Sequence, residues 1–234
     1  FINGNIIVTG SIKNNLIPIK KKDGNIKNLI FISQFMNREH MDSTSEKDVW
    51  GRTEKFDEYF SAEKKIIPVL ASYCEKKNVR LEICGRTNSQ QEMTEFQSLI
   101  DNKNPSWIFH PRVDAFKNYK LLDQATAIVH VDSTLGYEAL GRKKPVATFS
   151  IRGENIDQVE EFGDFSANFN NFGLPKKFPE NGPFWTNHFN ITIINKILDF
   201  VLNVNDQQWQ NIYEEYAAEI AAYDEGNSKF KKII

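Results

Sequence analysis

Short apolar runs recur through the first two thirds of the chain. They are Leu29-Ile30-Phe31-Ile32-Ser33, the alternating Val79-Arg80-Leu81-Glu82-Ile83-Cys84, Trp107-Ile108-Phe109, Ala127-Ile128-Val129-His130-Val131 and Pro145-Val146-Ala147-Thr148-Phe149. Runs this short, bounded by polar residues, predict strands. Between them the apolar spacing turns helical. Residues 55–77 place Phe56, Tyr59, Phe60, Ile66, Ile67, Leu70 and Tyr73 at helical intervals, with Pro68 predicting a kink or two segments. Residues 90–102 carry Phe96, Leu99 and Ile100 on one face, and helices are expected again at 114–124 and up to Arg142. Strands alternating with helices predict an α/β fold: a Rossmann-like parallel sheet of about five strands flanked by helices. Right-handed crossovers would bring every strand exit to one edge. Two amphipathic helices follow, at 191–204 and 206–223, the latter with Asp206 as its N-cap.

The remaining stretches are less periodic. Residues 1–27 read as a lead-in or interdomain segment. In it, Asn5-Ile6-Ile7-Val8-Thr9-Gly10-Ser11 predicts a short strand ending in a glycine turn, and Lys20-Lys21-Lys22-Asp23-Gly24 a solvated, charged turn. Residues 37–53, containing Trp50-Gly51-Arg52, predict a loop of a length often associated with function. Residues 151–185, rich in Phe, Asn, Gly and Pro, predict an irregular segment packed by its aromatics. Residues 229–234 read as a frayed end or the start of a further element. The resulting division is a lead-in (1–27), a Rossmann-like nucleotide-sugar-binding domain (28–205) and a C-terminal helix and tail (206–234).

Composition narrows the class. The 234 residues are 40% hydrophobic and 26% charged, the balance of a soluble globular protein. A net charge of −2 gives no general attraction to nucleic acid. With 18 Phe and only 12 Gly, the core should be aromatic. Cys74 and Cys84 form neither a disulfide framework nor a metal site, which favours a reducing compartment. No apolar run reaches the roughly 18 residues of a membrane span, and no signal peptide is evident. The expected location is cytoplasmic, with the inner face of the membrane as a place of work. The chain starts at Phe1 inside a possible strand, so an additional N-terminal region is expected.

Candidate chemistry gathers at two strand exits. Ser133 and Thr134 stand at a step from strand to helix, where hydroxyls, free backbone N–H groups and the positive end of the helix dipole favour a phosphate. The structural alternative is a plain helix cap, for which Asp132, Ser133 and Thr134 all qualify. Glu138 returns to the same helix face one turn later and is placed to accept hydrogen bonds from ribose hydroxyls; the alternative is a surface pair with Arg142 at i+4. Gly136 would permit close approach of a ligand or neighbour. Pro111 holds His110 extended, from where the imidazole could donate to a phosphate or protonate a leaving group, or serve structure alone. Gln34 and Arg86 are further contributors from neighbouring exits. His130, inside an apolar run, reads as a satisfied core residue. No His/Cys/carboxylate cluster has metal-ligand spacing, and neither a GxSxG nor a Walker loop occurs.

These residues carry a resemblance. The run Val131-Asp132-Ser133-Thr134-Leu135-Gly136-Tyr137-Glu138-Ala139-Leu140, followed by Lys144-Pro145-Val146, resembles the nucleotide-binding half of GT-B-type glycosyltransferases, above all bacterial surface-carbohydrate enzymes. His110-Pro111 together with Ser133-Thr134 looks like the His-Pro and Ser-Ser/Thr motifs of bacterial sialyltransferases and Kdo transferases, which use CMP-sugars. In those families the His and the hydroxyl pair contact the CMP portion. Val8-Thr9-Gly10-Ser11 is similar to the segment that enters the C-terminal domain. The resemblance spans roughly residues 5–205 and implies one half of a GT-B fold. It implies a donor-binding domain that serves transfer of a sugar, of sialic acid or Kdo type, from a CMP donor to a surface polysaccharide or lipid-linked acceptor. The nucleotide sugar enters as substrate, with no separate cofactor or metal. The acidic catalytic motif of those sialyltransferases belongs to their N-terminal domain, and no second Rossmann-like half is found in this chain. The catalytic residues therefore stay unassigned, and the partner domain is expected elsewhere. Competing readings are half of a sugar-nucleotide epimerase or polyol-phosphate transferase, or a nucleotide-binding module without catalysis.

Overall fold

A computed structural model of the chain describes residues 8–43, 55–100, 106–114, 116–152, 171–173 and 178–232. Each apolar run contributes a strand. In chain order the described elements are α1 (Ile12–Asn15), β1 (Asn28–Ile32), α2 (Arg38–Ser43), α3 (Phe56–Tyr59), α4 (Ser61–Lys77), β2 (Arg80–Cys84), α5 (Gln90–Leu99), β3 (Ile108–His110), α6 (Lys117–Asp123), β4 (Ala127–His130), α7 (Thr134–Gly141), β5 (Val146–Phe149) and β6 (Trp185–Thr186). They end with α8 (Ile191–Asn203), α9 (Asp206–Tyr216), a 3-10 turn at Glu225–Asn227 and α10 (Ser228–Lys231).

The six strands form one parallel sheet in the order β3-β2-β1-β4-β5-β6. The α/β, Rossmann-like fold read from the sequence is therefore the observed one. Central strands buried on both faces need continuous apolar runs, and Leu29, Ile30, Phe31, Ala127, Ile128 and Val129 are fully buried. Phe31 is in register with Val129 and meets Phe96 of α5 at 6.0 Å. His130, one residue on, points to the opposite face, where a bare Cα at Gly136 of α7 abuts its ring. Helices thus cover both faces. The chain runs outward from β1 through β2 to β3, crosses back to β4, and proceeds outward on the other side. The strand order therefore reverses between β1 and β4, the place where open α/β sheets bind ligands.

Two aromatic clusters fill the core. Phe35, Phe56 and Phe60 surround one another at 5.1–6.0 Å beside β1. At the other end, Phe172 stacks on Trp185 at 4.6 Å, and Phe184 meets Trp209 edge-on at 5.4 Å.

Several local expectations need correction. The sheet has a sixth strand, β6, at the close of the stretch read as irregular; its two residues pair with β5, Trp185 with Thr148 and Thr186 with Phe149. Of that stretch, 153–170 and 174–177 lie outside the described residues. The helical pattern at 55–77 divides at Phe60, and α4 carries Pro68 in its interior. Val8 to Ser11 forms no strand, because Ser11 caps α1 by accepting from the Asn14 N–H at 3.4 Å; residues 5–7 lie outside the described set. The loop expected at 37–53 contains α2, and residues 44–53 are outside the described set. The helix expected at 206–223 stops at Tyr216, and its N-cap is Asn205, which forms a reciprocal capping box with Gln208.

The lysine turn is not simply solvated. Lys22 Nζ donates to Ile26 O, Asn28 Oδ1 and Thr126 Oγ1, and the Lys20 N–H donates to Asp123 Oδ2 at 2.9 Å. Arg142, fully buried, binds Asp123 through Nε and Nη2 at 2.9 and 2.7 Å and donates from Nη1 to Asn14 Oδ1 and Ile17 O, each at 3.0 Å. The tail is ordered by the same device. Asn15 Oδ1 accepts from the Asp224 N–H and its Nδ2 donates to Asn227, both at 2.9 Å. Asp224 in turn caps α10, accepting from Ser228 Oγ at 2.6 Å and the Lys229 N–H at 2.9 Å. The frayed end expected from 229 is a capped helical turn through Lys231.

Candidate functional site

A cavity of about 330 Å³ opens where β1 and β4 diverge, within the size range of small-molecule sites. Ser33 and Gln34 line it from the exit of β1, Cys84 and Arg86 from β2, Arg112 from β3, and Ser133 and Thr134 from β4. Tyr119 of α6, Glu138 of α7 and Lys13 of α1 complete the wall.

Ser133 is the N-cap of α7 by backbone position, with φ −72 and ψ 130, yet its side chain makes no capping bond. Its own N–H donates to His130 Nδ1 at 3.2 Å. The N–H groups of Thr134 and Leu135, in the first turn, have no partner among the described residues, as expected of a helix start. The site thus offers a hydroxyl, free amides and a helix dipole together. The i+4 alternative for Glu138 is not formed, because Arg142 is committed to Asp123. Glu138 Oε2 instead accepts from the Tyr119 hydroxyl at 2.8 Å.

The exits of β1 and β2 are fixed by buried acids. Glu92 takes the Arg86 N–H at 2.8 Å, the Thr87 N–H at 2.7 Å and Thr87 Oγ1 at 2.6 Å. The Gln34 carbonyl accepts from Tyr59 Oη at 3.0 Å and Arg86 Nη1 at 3.2 Å. Arg152 binds Glu63 at 2.8 Å and Asp132 at 2.9 Å, lies 4.2 Å over the Tyr59 ring, and reaches Gln34 Oε1 at 3.3 Å. Burial pushes the Glu63 carboxyl up, and the Arg152 charge beside it pulls it back.

Five of the residues singled out from sequence line the cavity: Gln34, Arg86, Ser133, Thr134 and Glu138. His110 and Pro111 are not among its lining residues. Pro111 keeps His110 in the strand, so its ring follows the strand alternation. His110 pairs in register with Cys84, on the face that Glu82 shares, and its Nε2 meets Glu82 Oε2 at 2.6 Å. Burial alone would raise the Glu82 carboxyl; the hydrogen bonds from His110, Asn28 and Arg80 outweigh it and hold the carboxyl at about 2. Sequence reasoning missed Lys13, Arg112 and Tyr119. Arg112 directly follows the His110-Pro111 pair, whereas Lys13 carries no signal in the lead-in. Cys84 stands in the wall with its thiol pushed up to about 12 by burial, which disfavours the thiolate. Among the described residues no group of three or more His, Cys, Asp or Glu could hold a metal ion, and no helix is long and apolar enough to cross a membrane.

Fold and cleft together define a Rossmann-like α/β protein with a cation-lined cavity at the point where its strand order reverses. Over residues 1–234 the chain matches the model of a family described as "putative O-antigen biosynthesis protein", and it belongs to that family. The family description connects it to the biosynthesis of surface carbohydrate. No curated protein matches the chain.

Proposed function

We propose that this chain is the donor-binding part of a glycosyltransferase of GT-B type, and that it holds a CMP-sugar of sialic acid or Kdo type. The carrying observation is the uncommitted Ser133 hydroxyl at the start of α7, inside a cavity that sets Lys13, Arg86 and Arg112 against one carboxylate, Glu138. Three cations against one anion favour an anionic ligand. The phosphate sits at Ser133, Thr134 and the free first-turn amides, and Glu138, steadied by Tyr119, receives the ribose hydroxyls. His110 and Pro111 act from behind the wall by setting the course of the chain into Arg112. The acceptor, a surface glycan or lipid-linked sugar met at the inner face of the membrane, and the catalytic base come with a second domain. The chain alone therefore binds donor without transferring sugar; robust transfer by residues 1–234 would refute this part of the reading.

A melting-temperature panel of CMP, CDP, UDP and GDP tests the proposal, since a ligand that binds only the folded state raises its melting point. A shift with CMP alone supports it. A shift with UDP instead points to an epimerase-type half, and no shift with any nucleotide leaves a module with another ligand. Calorimetry on Ser133→Ala should then show CMP affinity reduced roughly 10- to 150-fold, the worth of one hydrogen bond to a charged group, with the melting curve unmoved. A plain cap would give the reverse: stability lower by about 1 kcal/mol and affinity unchanged.

A further inference from the structure

The proposed donor cleft leaves one buried polar side chain behind it without a role. His130 ends β4 and has no exposed surface. Both of its ring nitrogens are engaged: Nδ1 accepts from the Ser133 N–H at 3.2 Å, and Nε2 meets Thr148 Oγ1 at 3.0 Å on the register partner in β5. An accepting Nδ1 requires the neutral Nε2–H tautomer, so Nε2–H donates to Thr148. The helix that begins at Ser133 is closed onto this ring. A Cβ at Gly136 would lie 2.2 Å from His130 Cδ2, a distance only glycine avoids, and the Tyr137 ring meets the imidazole edge-on at 5.5 Å. Burial keeps the imidazole uncharged, its pKa lowered to about 3.

We propose that His130 is a positioning residue for the anion-binding end of α7. By occupying the Ser133 N–H it holds Ser133 in its extended conformation and directs the hydroxyl to the cleft instead of back onto the helix as a cap. The use of that hydroxyl rests on the donor-binding reading; the locking of Ser133 does not.

Two substitutions separate the ring's two bonds. His130→Asn keeps an amide oxygen near the Nδ1 position and so an acceptor for Ser133. His130→Gln keeps a polar group near Nε2 and loses that acceptor. In ligand-free protein, amide hydrogen exchange at Ser133 should quicken by about tenfold or more in His130→Gln and stay near wild type in His130→Asn. By calorimetry, CMP affinity should fall at least about tenfold in the Gln variant and hold within about threefold in the Asn variant. Equal exchange at Ser133 in the two variants overturns the proposal, as does equal CMP affinity in the two where wild type binds CMP. A flat CMP titration of wild type alongside the expected exchange pattern sinks the donor reading and leaves the positioning intact. Should the Gln variant not fold, His130→Leu, which fills much of the ring's space without an acceptor, takes its place: faster Ser133 exchange there than in the Asn variant supports the proposal, and equal exchange overturns it.

Discussion

Histidine ends both β3 and β4, and the sheet register puts His110 and His130 on the same face and in the same row. Beyond that the two exits diverge. β3 is an edge strand, and half-buried His110 sits in an ion cluster with Glu82, Arg80 and Asn28. β4 lies inside the sheet, and among the described residues fully buried His130 hydrogen-bonds with neutral partners, a backbone amide and a threonine hydroxyl. Burial decides the difference. An edge position with access to water tolerates a charged cluster, whereas a central one selects a neutral ring with both nitrogens satisfied. The consequence is a division of labour between the two histidines: His110 ties β3 to β2 through Glu82, and His130 backs the exit whose hydroxyls line the cleft.

The largest effect should come from removing the charge at the β3 exit. Glu82 is held at about 2 against 4.5 unperturbed, so its ionised form stabilises the fold by about 3 kcal/mol. Glu82→Gln should lose about that much at pH 7 by urea denaturation, with nucleotide affinity unchanged within about twofold. The sign follows from the depressed pKa: the stabilisation is complete above pH 4.5 and disappears as the pH falls towards 2, so the variant's curve should be flatter across that window. A loss of nucleotide affinity with intact stability would put the Glu82–His110 pair into the binding site and break the comparison.

At the β4 exit, Gly136→Ala drives a methyl into the His130 ring. Overpacking of this kind costs about 2 kcal/mol, and it should weaken nucleotide binding as well, because Ser133 moves with the ring. The two exits should also respond to acid in different windows. His130 is depressed from 6.5 to about 3 by burial, so the unfolded chain takes up its proton first. Stability is then full above pH 6.5 and falls as the pH drops towards 3, by about 2 kcal/mol at pH 5. His130→Asn should remove that slope between pH 6.5 and 5 and leave the steeper loss below pH 4.5 to Glu82. A wild-type stability that stays flat from pH 6.5 to 5 would contradict the neutral, buried ring.

How far the sequence could be read follows the same line between local and distant causes. The five apolar runs were legible as strands because a parallel sheet covered on both faces demands them. β6 was not, since two paired residues inside an aromatic-rich stretch leave no pattern to find. That Ser133, Thr134 and Glu138 share one wall was legible because a strand-to-helix step and one helical turn are local geometry. Gln34 and Arg86 followed from expecting all exits on one edge. The fate of His110 was not legible: its partner Glu82 lies 28 residues away, and in the alternating run of β2 nothing marks that carboxylate as buried. Lys13 reaches the cleft because long-range contacts, Arg142 with Asp123 and Asn14 among them, fasten the lead-in to the domain, and no short-range pattern encodes them.

The smallest predicted effect concerns the acid that faces the cleft from α7. Tyr119 is buried by its ring and spends its hydroxyl on Glu138 Oε2, at 2.8 Å. Tyr119→Phe keeps the ring packing and removes one hydrogen bond to a charged group that solvent can partly replace, so stability should fall by about 1 kcal/mol. Its value lies in selectivity. With its anchor gone, Glu138 loses the orientation in which it would meet ribose hydroxyls, and the preference for CMP over its 2′-deoxy analogue should shrink by about fivefold while affinity for inorganic phosphate stays constant. Calorimetric titration of the three ligands into wild type and variant reads this directly. A preserved ribose preference would show that Glu138 does not face the sugar, and the β4 exit would then be an anion site alone.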